Sequence, residues 1–413
     1  MQPDHTEELT ATLARNILVL DGAMGTTIRG YGLTESDARG SRFASNEKDL
    51  LNNGDILSLT RPEVIGDIHK RFLEAGSHVL TTNTFSATNI AQSEFFVEDP
   101  RESGKGRKDP EFFEREVLHN DFLSELAADI NIESAKLARQ EADRIADETG
   151  IKRYVGGGLG PLTVSLSNSP DADDPGFRVV TFDQVKRAYA DQAKALIEGG
   201  VDILMVETIF DSLNAKAALV AIAEVFEETP NRLPIIISAA VGRGGETMIS
   251  AQKGEALWNA TAHCNPLAIG LNCSLGPDLM KPFLEDLSKC ATTHISCYPN
   301  AGLPNPLAPT GFDLEPVHMN EYMTDEHDYH TMLKLPARMA PRAQKNLPSY
   351  EAHNLRQMDK RLAQEVAKAL VWLPKFGNRK AVSRFSGCLL DARDRKTVPE
   401  KEFDSYGNRF AFE

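Results

Sequence analysis

Residues 203–208 read Ile203-Leu204-Met205-Val206-Glu207-Thr208. Four apolar residues run into an acid and a hydroxyl, which is the pattern of a short strand ending in a polar turn. The same device recurs on both sides. Upstream, Ile17-Leu18-Val19-Leu20 runs into Asp21-Gly22-Ala23, His78-Val79-Leu80 into Thr81-Thr82-Asn83, and Tyr154-Val155 into Gly156-Gly157-Gly158-Leu159-Gly160. Downstream, Pro234-Ile235-Ile236-Ile237 ends in Ser238-Ala239, Ala268-Ile269-Gly270-Leu271 in Asn272-Cys273, and His294-Ile295-Ser296 in Cys297-Tyr298-Pro299-Asn300. Helical patterns lie between these runs. Over Phe182–Glu198, residues Val185, Ala188, Tyr189, Ala193 and Leu196 share one stripe, and Gly199-Gly200 stops the helix. Strand and helix in alternation imply a parallel sheet. Seven strands, each carrying polar chemistry at its C-terminal end, point to a (β/α)₈ TIM barrel, whose site lies at that rim. A doubly wound sheet fits less well, because it would gather function at one switch point.

Two stretches break the rhythm. Residues 93–121 are charged (VEDPRESGKGRKDPEFFERE at their centre) and read as a surface insertion in the connection after the second strand. After Pro316 the alternation stops. One amphipathic helix is expected at about Asn354–Leu373, with Leu355, Met358, Leu362, Val366 and Leu370 on a stripe and Pro374 ending it. No eighth strand is found. The expected organisation is therefore a barrel over 1–316, incomplete at the eighth strand, and an irregular, partly helical tail over 317–413. That tail reads either as a genuine extension or as non-native sequence.

Composition narrows the function classes. Sixty acids against 45 Lys and Arg leave a formal charge of −15, the wrong sign for a nucleic-acid binder. The opening MQPDHTEELT has no basic segment before an apolar run, and no run approaches a membrane span. Five scattered cysteines argue against a disulfide framework and for a reducing cytoplasm.

In a barrel, Asp21 and Glu207 would face one mouth. Two carboxylates there suit an ammonium group or acid/base work, and the backbone N–H groups of Gly22 and Ala23 suit a carboxylate. An amino acid ligand meets both requirements. Spacing alone equally allows Asp21 to cap a helix and Glu207 to be paired structurally. Cys273, at a strand end, is a nucleophile, a zinc ligand or a small buried hydrophobe. No CxxC or HExxH occurs. Asn300 is either a hydrogen-bond donor into the mouth or a turn residue among prolines. The glycines at 156–160 lack the spacing of a phosphate loop and read as a tight turn near a ligand.

Taken together, Leu20-Asp21-Gly22-Ala23-Met24-Gly25-Thr26, Asp37-Ala38-Arg39-Gly40, Thr82-Asn83-Thr84-Phe85, Gly158-Leu159-Gly160-Pro161, Val206-Glu207-Thr208, Phe210-Asp211-Ser212-Leu213-Asn214-Ala215-Lys216, Gly270-Leu271-Asn272-Cys273 and Pro299-Asn300-Ala301-Gly302-Leu303-Pro304-Asn305 resemble the homocysteine-binding domain of cobalamin-dependent methionine synthase, in order, over about 17–316. The resemblance implies a methyltransferase in which Asp21 and Glu207 hold the homocysteine ammonium, Gly22 and Ala23 its carboxylate, and Cys273 one zinc position, with Asn300 close to the metal. Zinc would lower the thiol pKa, and the thiolate would accept a methyl group from methylcobalamin. Cobalamin- and folate-binding modules would lie elsewhere. The chain departs from the family in lacking the Gly-Gly-Cys-Cys-Gly turn that completes the zinc triad, with Cys297 a weak substitute, and in carrying Thr81 where relatives often have an acid. The resemblance therefore leaves three readings: an S-methyltransferase domain, a non-catalytic amino-acid-binding remnant, or an unrelated barrel lyase using Asp21 and Glu207.

Overall fold

The computed structural model describes residues 2–302, apart from Asn16, Ser103, Lys105 and Asn231, together with Asn305, Leu314 and Leu333–Lys334. Six parallel strands follow one another in sheet order: β1 (Val79–Thr81), β2 (Tyr154–Leu159), β3 (Ile203–Ile209), β4 (Ile235–Ala239), β5 (Ala268–Asn272) and β6 (His294–Tyr298). Leu333–Lys334 pairs antiparallel with Ile295 and Ser296 of β6. The seventh expected strand, Ile17–Leu20, lies beside β1 but pairs as a strand only at Leu20, opposite Val79. Val19 accepts from the amides of His78 and Val79, and the Asp21 amide donates to the Val79 carbonyl. The expected helix at 354–373, and the tail in general, lie outside the described residues.

Helices fill each crossover. Thr181 caps Phe182–Gly199 through a reciprocal capping box with Gln184, and Gly200 ends that helix at φ +97°. Part of the charged stretch 93–121 packs inward. Its segment Pro110–Leu118 is helical, and Phe113, Val117 and Leu118 join the main core. Aromatic and aliphatic side chains override the polar average there, because burial follows the individual face rather than the composition of the window.

Strand alternation splits the core in two. One set, including Leu204, Val206, Ile237, Ile269, Ile295 and Cys297, packs under the helices. The other, including Tyr154, Ile203, Met205, Ile236 and Ala268, faces the interior with Tyr298 against it. The helix Thr6–Leu13 closes the N-terminal end of this interior with Leu9 and Leu13.

The glycines at 156–158 are strand, not turn, which corrects the expectation. A Cβ at Gly156 would stand 2.4 Å from Met205 Sδ, one at Gly157 3.1 Å from Leu196, and one at Gly158 2.7 Å from Glu207 Oε1. The sheet curls into an open half-barrel. Tyr298 on β6 donates from its hydroxyl to the Asp21 carbonyl at 2.5 Å, across the seam between the last parallel strand and the first segment. Among the described residues no helix is long and apolar enough to cross a membrane.

Candidate functional site

Parallel pairing brings the C-terminal ends of the strands to one rim. Asp21 leaves the first segment with its side chain 3% exposed. Its Oδ2 accepts from the Thr81 amide at 2.8 Å and its Oδ1 from the Thr81 hydroxyl at 2.9 Å. Helix capping is excluded: the helix Met24–Gly30 starts at Ala23 and receives no side-chain cap. Burial pushes the Asp21 carboxyl up to about 7, with the nearby charge of Glu207 adding to the rise.

Glu207 sits where β3 kinks, between Val206 and Ile209, where the register to β4 shifts. The next residue, Thr208, takes left-handed φ +55°. Its hydroxyl donates weakly to Glu207 Oε2, at 3.4 Å. Burial pushes Glu207 to about 7 as well. Among the described residues no cation pairs with Asp21 or Glu207. A buried Asp21 and a half-buried Glu207 without a described cation leave room for one from outside.

A third acid was not expected. Asp55, in the short helix Gly54–Ile56, is buried and is pushed to about 7 by desolvation. It accepts from the amides of Phe85 and Ser86, the latter at 2.5 Å, and its charge bears on Glu207. Phe85 stands 43% exposed at the rim, and its carbonyl lies 2.1 Å from where a Cβ on Gly160 would be. Asp55 precedes Ile56 in an unremarkable loop run, so no periodic signal marks it.

Cys273 and Ser274 follow β5 with φ +56° and +61°. Such non-glycine residues cost about 1–3 kcal/mol each and persist only where surroundings hold them. Asn272 supplies the hold. Its Oδ1 accepts from the Thr208 amide and the Ser238 hydroxyl, and its Nδ2 donates to Thr208 Oγ1 at 2.7 Å and Cys273 Sγ at 3.2 Å. Burial and the neighbouring Glu207 charge raise the Cys273 thiol pKa, so without a cation the thiol stays protonated.

The turn after Asp21 is tight. A Cβ on Gly22 would stand 2.4 Å from the Phe72 ring, and Ala23 is exposed at the start of the following helix. N–H groups in such a first turn have no intrahelical acceptor. Asn300 is at the rim, with its amide donating to the Leu275 carbonyl and its carbonyl accepting from Gly302. No described hydrogen bond joins its side chain to Asp21 or Glu207. The Asp37–Gly40 run is a brace: Asp37 completes the Thr34 capping box and pairs with Arg61 at 2.8 Å.

Tyr298 was expected only as a strand end, yet it joins the site. Its hydroxyl donates to the Asp21 carbonyl, and burial, with the nearby charges of Asp21, Glu207 and Cys273, raises its phenol pKa. Cys297, the neighbouring residue, points to the helix side of β6 and packs in the outer core. It cannot reach the mouth as a second thiol. Cys264 ends a short 3₁₀ turn and Cys290 ends the helix Pro277–Cys290. Among the described residues no group of three or more His, Cys, Asp or Glu could hold a metal ion.

A family model described as homocysteine S-methyltransferase matches residues 18–340. The oxidized form of the homocysteine methyltransferase MmuM from Escherichia coli is similar in structure, with TM-score 0.51 and 18% identity over 74% of this chain and 86% of that one. Its metallated form gives TM-score 0.50 and 19% identity over 70% and 85%. At such identities the likeness shows a shared fold.

Proposed function

The chain belongs to the homocysteine S-methyltransferase family, and we propose that its mouth binds homocysteine as a methyl acceptor, in the manner of a methionine synthase domain. In this reading Asp21 and Glu207 grip the ammonium, the Gly22–Ala23 turn takes the carboxylate, and the thiol extends toward Cys273. Asn300 borders the same rim. The observation that carries the reading is the buried Asp21 and the half-buried Glu207 at one rim, with no cation paired to either among the described residues. An amino acid supplies that cation and, through its own carboxylate, uses the open turn.

A catalytic zinc needs about three protein ligands. The described residues offer Cys273 alone, since Cys297 faces the opposite side of β6. They do not fit the metal by themselves. Methylcobalamin as donor and cobalamin- and folate-binding modules elsewhere complete the proposal on the strength of the resemblance, and a cytoplasmic setting on that of the scattered cysteines. The single thiol favours a second reading, an amino-acid-binding member that does not turn over.

Titration calorimetry with homocysteine, followed by methionine formation from methylcobalamin with and without added zinc, tests both. Binding with zinc-dependent turnover supports the methyltransferase. Binding without turnover supports the second reading. Absence of homocysteine binding at millimolar concentration would sink both.

A further inference from the structure

We propose that Tyr298 is a positioning residue that sets the length of amino acid the mouth accepts, selecting homocysteine over its shorter homologue cysteine. The proposal rests on the homocysteine reading above. Tyr298 is bonded to both ends of the proposed ligand site. Its hydroxyl donates to the Asp21 carbonyl at 2.5 Å, at the head of the turn that would hold the ammonium and carboxylate. Its carbonyl accepts from the Cys273 amide at 3.0 Å, at the end where the ligand thiol would lie.

Each end is rigid in itself. Thr81 holds both oxygens of Asp21, and the Phe72 ring presses on Gly22. Asn272 holds the left-handed Cys273 through its sulfur and through Thr208. Between the two ends lies the seam of the curled sheet. A closed barrel would set the width of that seam by a backbone ladder. Among the described residues, β6 pairs beyond β5 only with the short Leu333–Lys334, no strand pairing joins it to the segment at 17–20, and the phenol hydrogen bond is the link to that segment. Loss of that bond frees the seam to widen or narrow. Cysteine and homocysteine differ by one methylene, ~1.5 Å of chain, so a mouth of set width separates them and a mouth of variable width does not.

The test is calorimetric affinity for homocysteine and for cysteine, in the full chain and in Tyr298→Phe, which keeps the ring and removes the hydroxyl. A pocket sensitive to one methylene discriminates by about 10-fold or more, and the native chain is expected to prefer homocysteine by that factor. In Tyr298→Phe the preference is expected to fall to within about threefold. A purely structural role weakens both ligands in proportion and leaves the ratio intact. That result overturns the proposal while the homocysteine reading stands. A native chain that binds neither amino acid overturns the homocysteine reading, and this inference with it. Should circular dichroism show Tyr298→Phe unfolded, the native chain decides through a third ligand, the homologue one methylene longer than homocysteine. A sharp optimum at homocysteine supports the gauge, and a flat series rejects it.

Discussion

Three carboxyls, Asp21, Asp55 and Glu207, are held near 7 by burial, well above their ordinary values. Ammonium binding needs the ionised forms, so homocysteine affinity is expected to rise as pH increases through about 7 and to level off above it. Calorimetry between pH 6 and 8 reads this directly, and a flat profile would remove the acids from the binding site. Asp21→Asn keeps the size of the side chain and one acceptor but removes the charge. It is expected to weaken homocysteine binding at least 10-fold at pH 8, with little loss of secondary structure by circular dichroism. Stability runs the other way. A carboxyl whose folded pKa is raised favours the folded state fully below its unfolded value near 4, and that contribution is lost as pH rises through about 7. The ligand-free protein is therefore expected to lose stability across that window. Asp55→Asn should flatten part of the loss while its amide oxygen still accepts from Phe85 and Ser86. Chemical denaturation at pH 5 and pH 8 checks it, and an equal pH slope in the variant would show that Asp55 does not titrate there.

At the scale of elements, glycines decide how closely the strands carry their chemistry. In β2, Gly158 leaves the space that Glu207 Oε1 occupies, 2.7 Å from where a Cβ would stand. Gly158→Ala is expected to push Glu207 aside and cut homocysteine affinity while the fold survives, because a carboxylate tip can move. Gly270 in β5 is the stricter case. A Cβ there would stand 1.8 Å from the Ser296 carbonyl oxygen of β6. Backbone cannot yield cheaply, so Gly270→Ala is expected to cost about 1–3 kcal/mol or more, seen as a lower denaturation midpoint. Unchanged stability would mean that the β5–β6 ladder is looser than its register implies. In the sequence, Gly158 reads as part of a tight turn near a ligand and Gly270 as an interruption of an apolar run. What they make room for lies on strands far away in the chain.

For the molecule as a whole, the question is how an open sheet holds a mouth together. One end is plugged by the helix Thr6–Leu13, whose fully buried Leu9 packs among the first residues of the strands. Glu8 adds contacts to Lys152 at 2.6 Å and to the Tyr154 hydroxyl at 2.9 Å. Leu9→Ala is expected to destabilise the protein by about 2–5 kcal/mol. A thermal or urea melt measures it, and a shift under about 0.5 kcal/mol would show the plug to be dispensable. At the other end, the rim is joined across the seam by Tyr298. The plug was not visible in advance, because an eight-residue helix before the first strand looks like any polar leader until its two leucines find the interior.

The strand rhythm, the helix stops and the rim position of Asp21, Glu207 and Cys273 were determined by sequence alone, because alternation and capping act within a few residues. Local order of this kind also carried the family resemblance over 17–316. Tertiary structure decided the rest. It made Ile17–Leu20 a single bridge rather than a full strand, turned the 156–158 glycines into strand, and aimed Cys297 away from the mouth. It brought in Asp55, Asn272 and Tyr298, which no short-range pattern announces. The reason is physical: a buried acid, a hub amide or a phenol at a seam is defined by which distant groups surround it, and only the curl of the sheet brings those groups together.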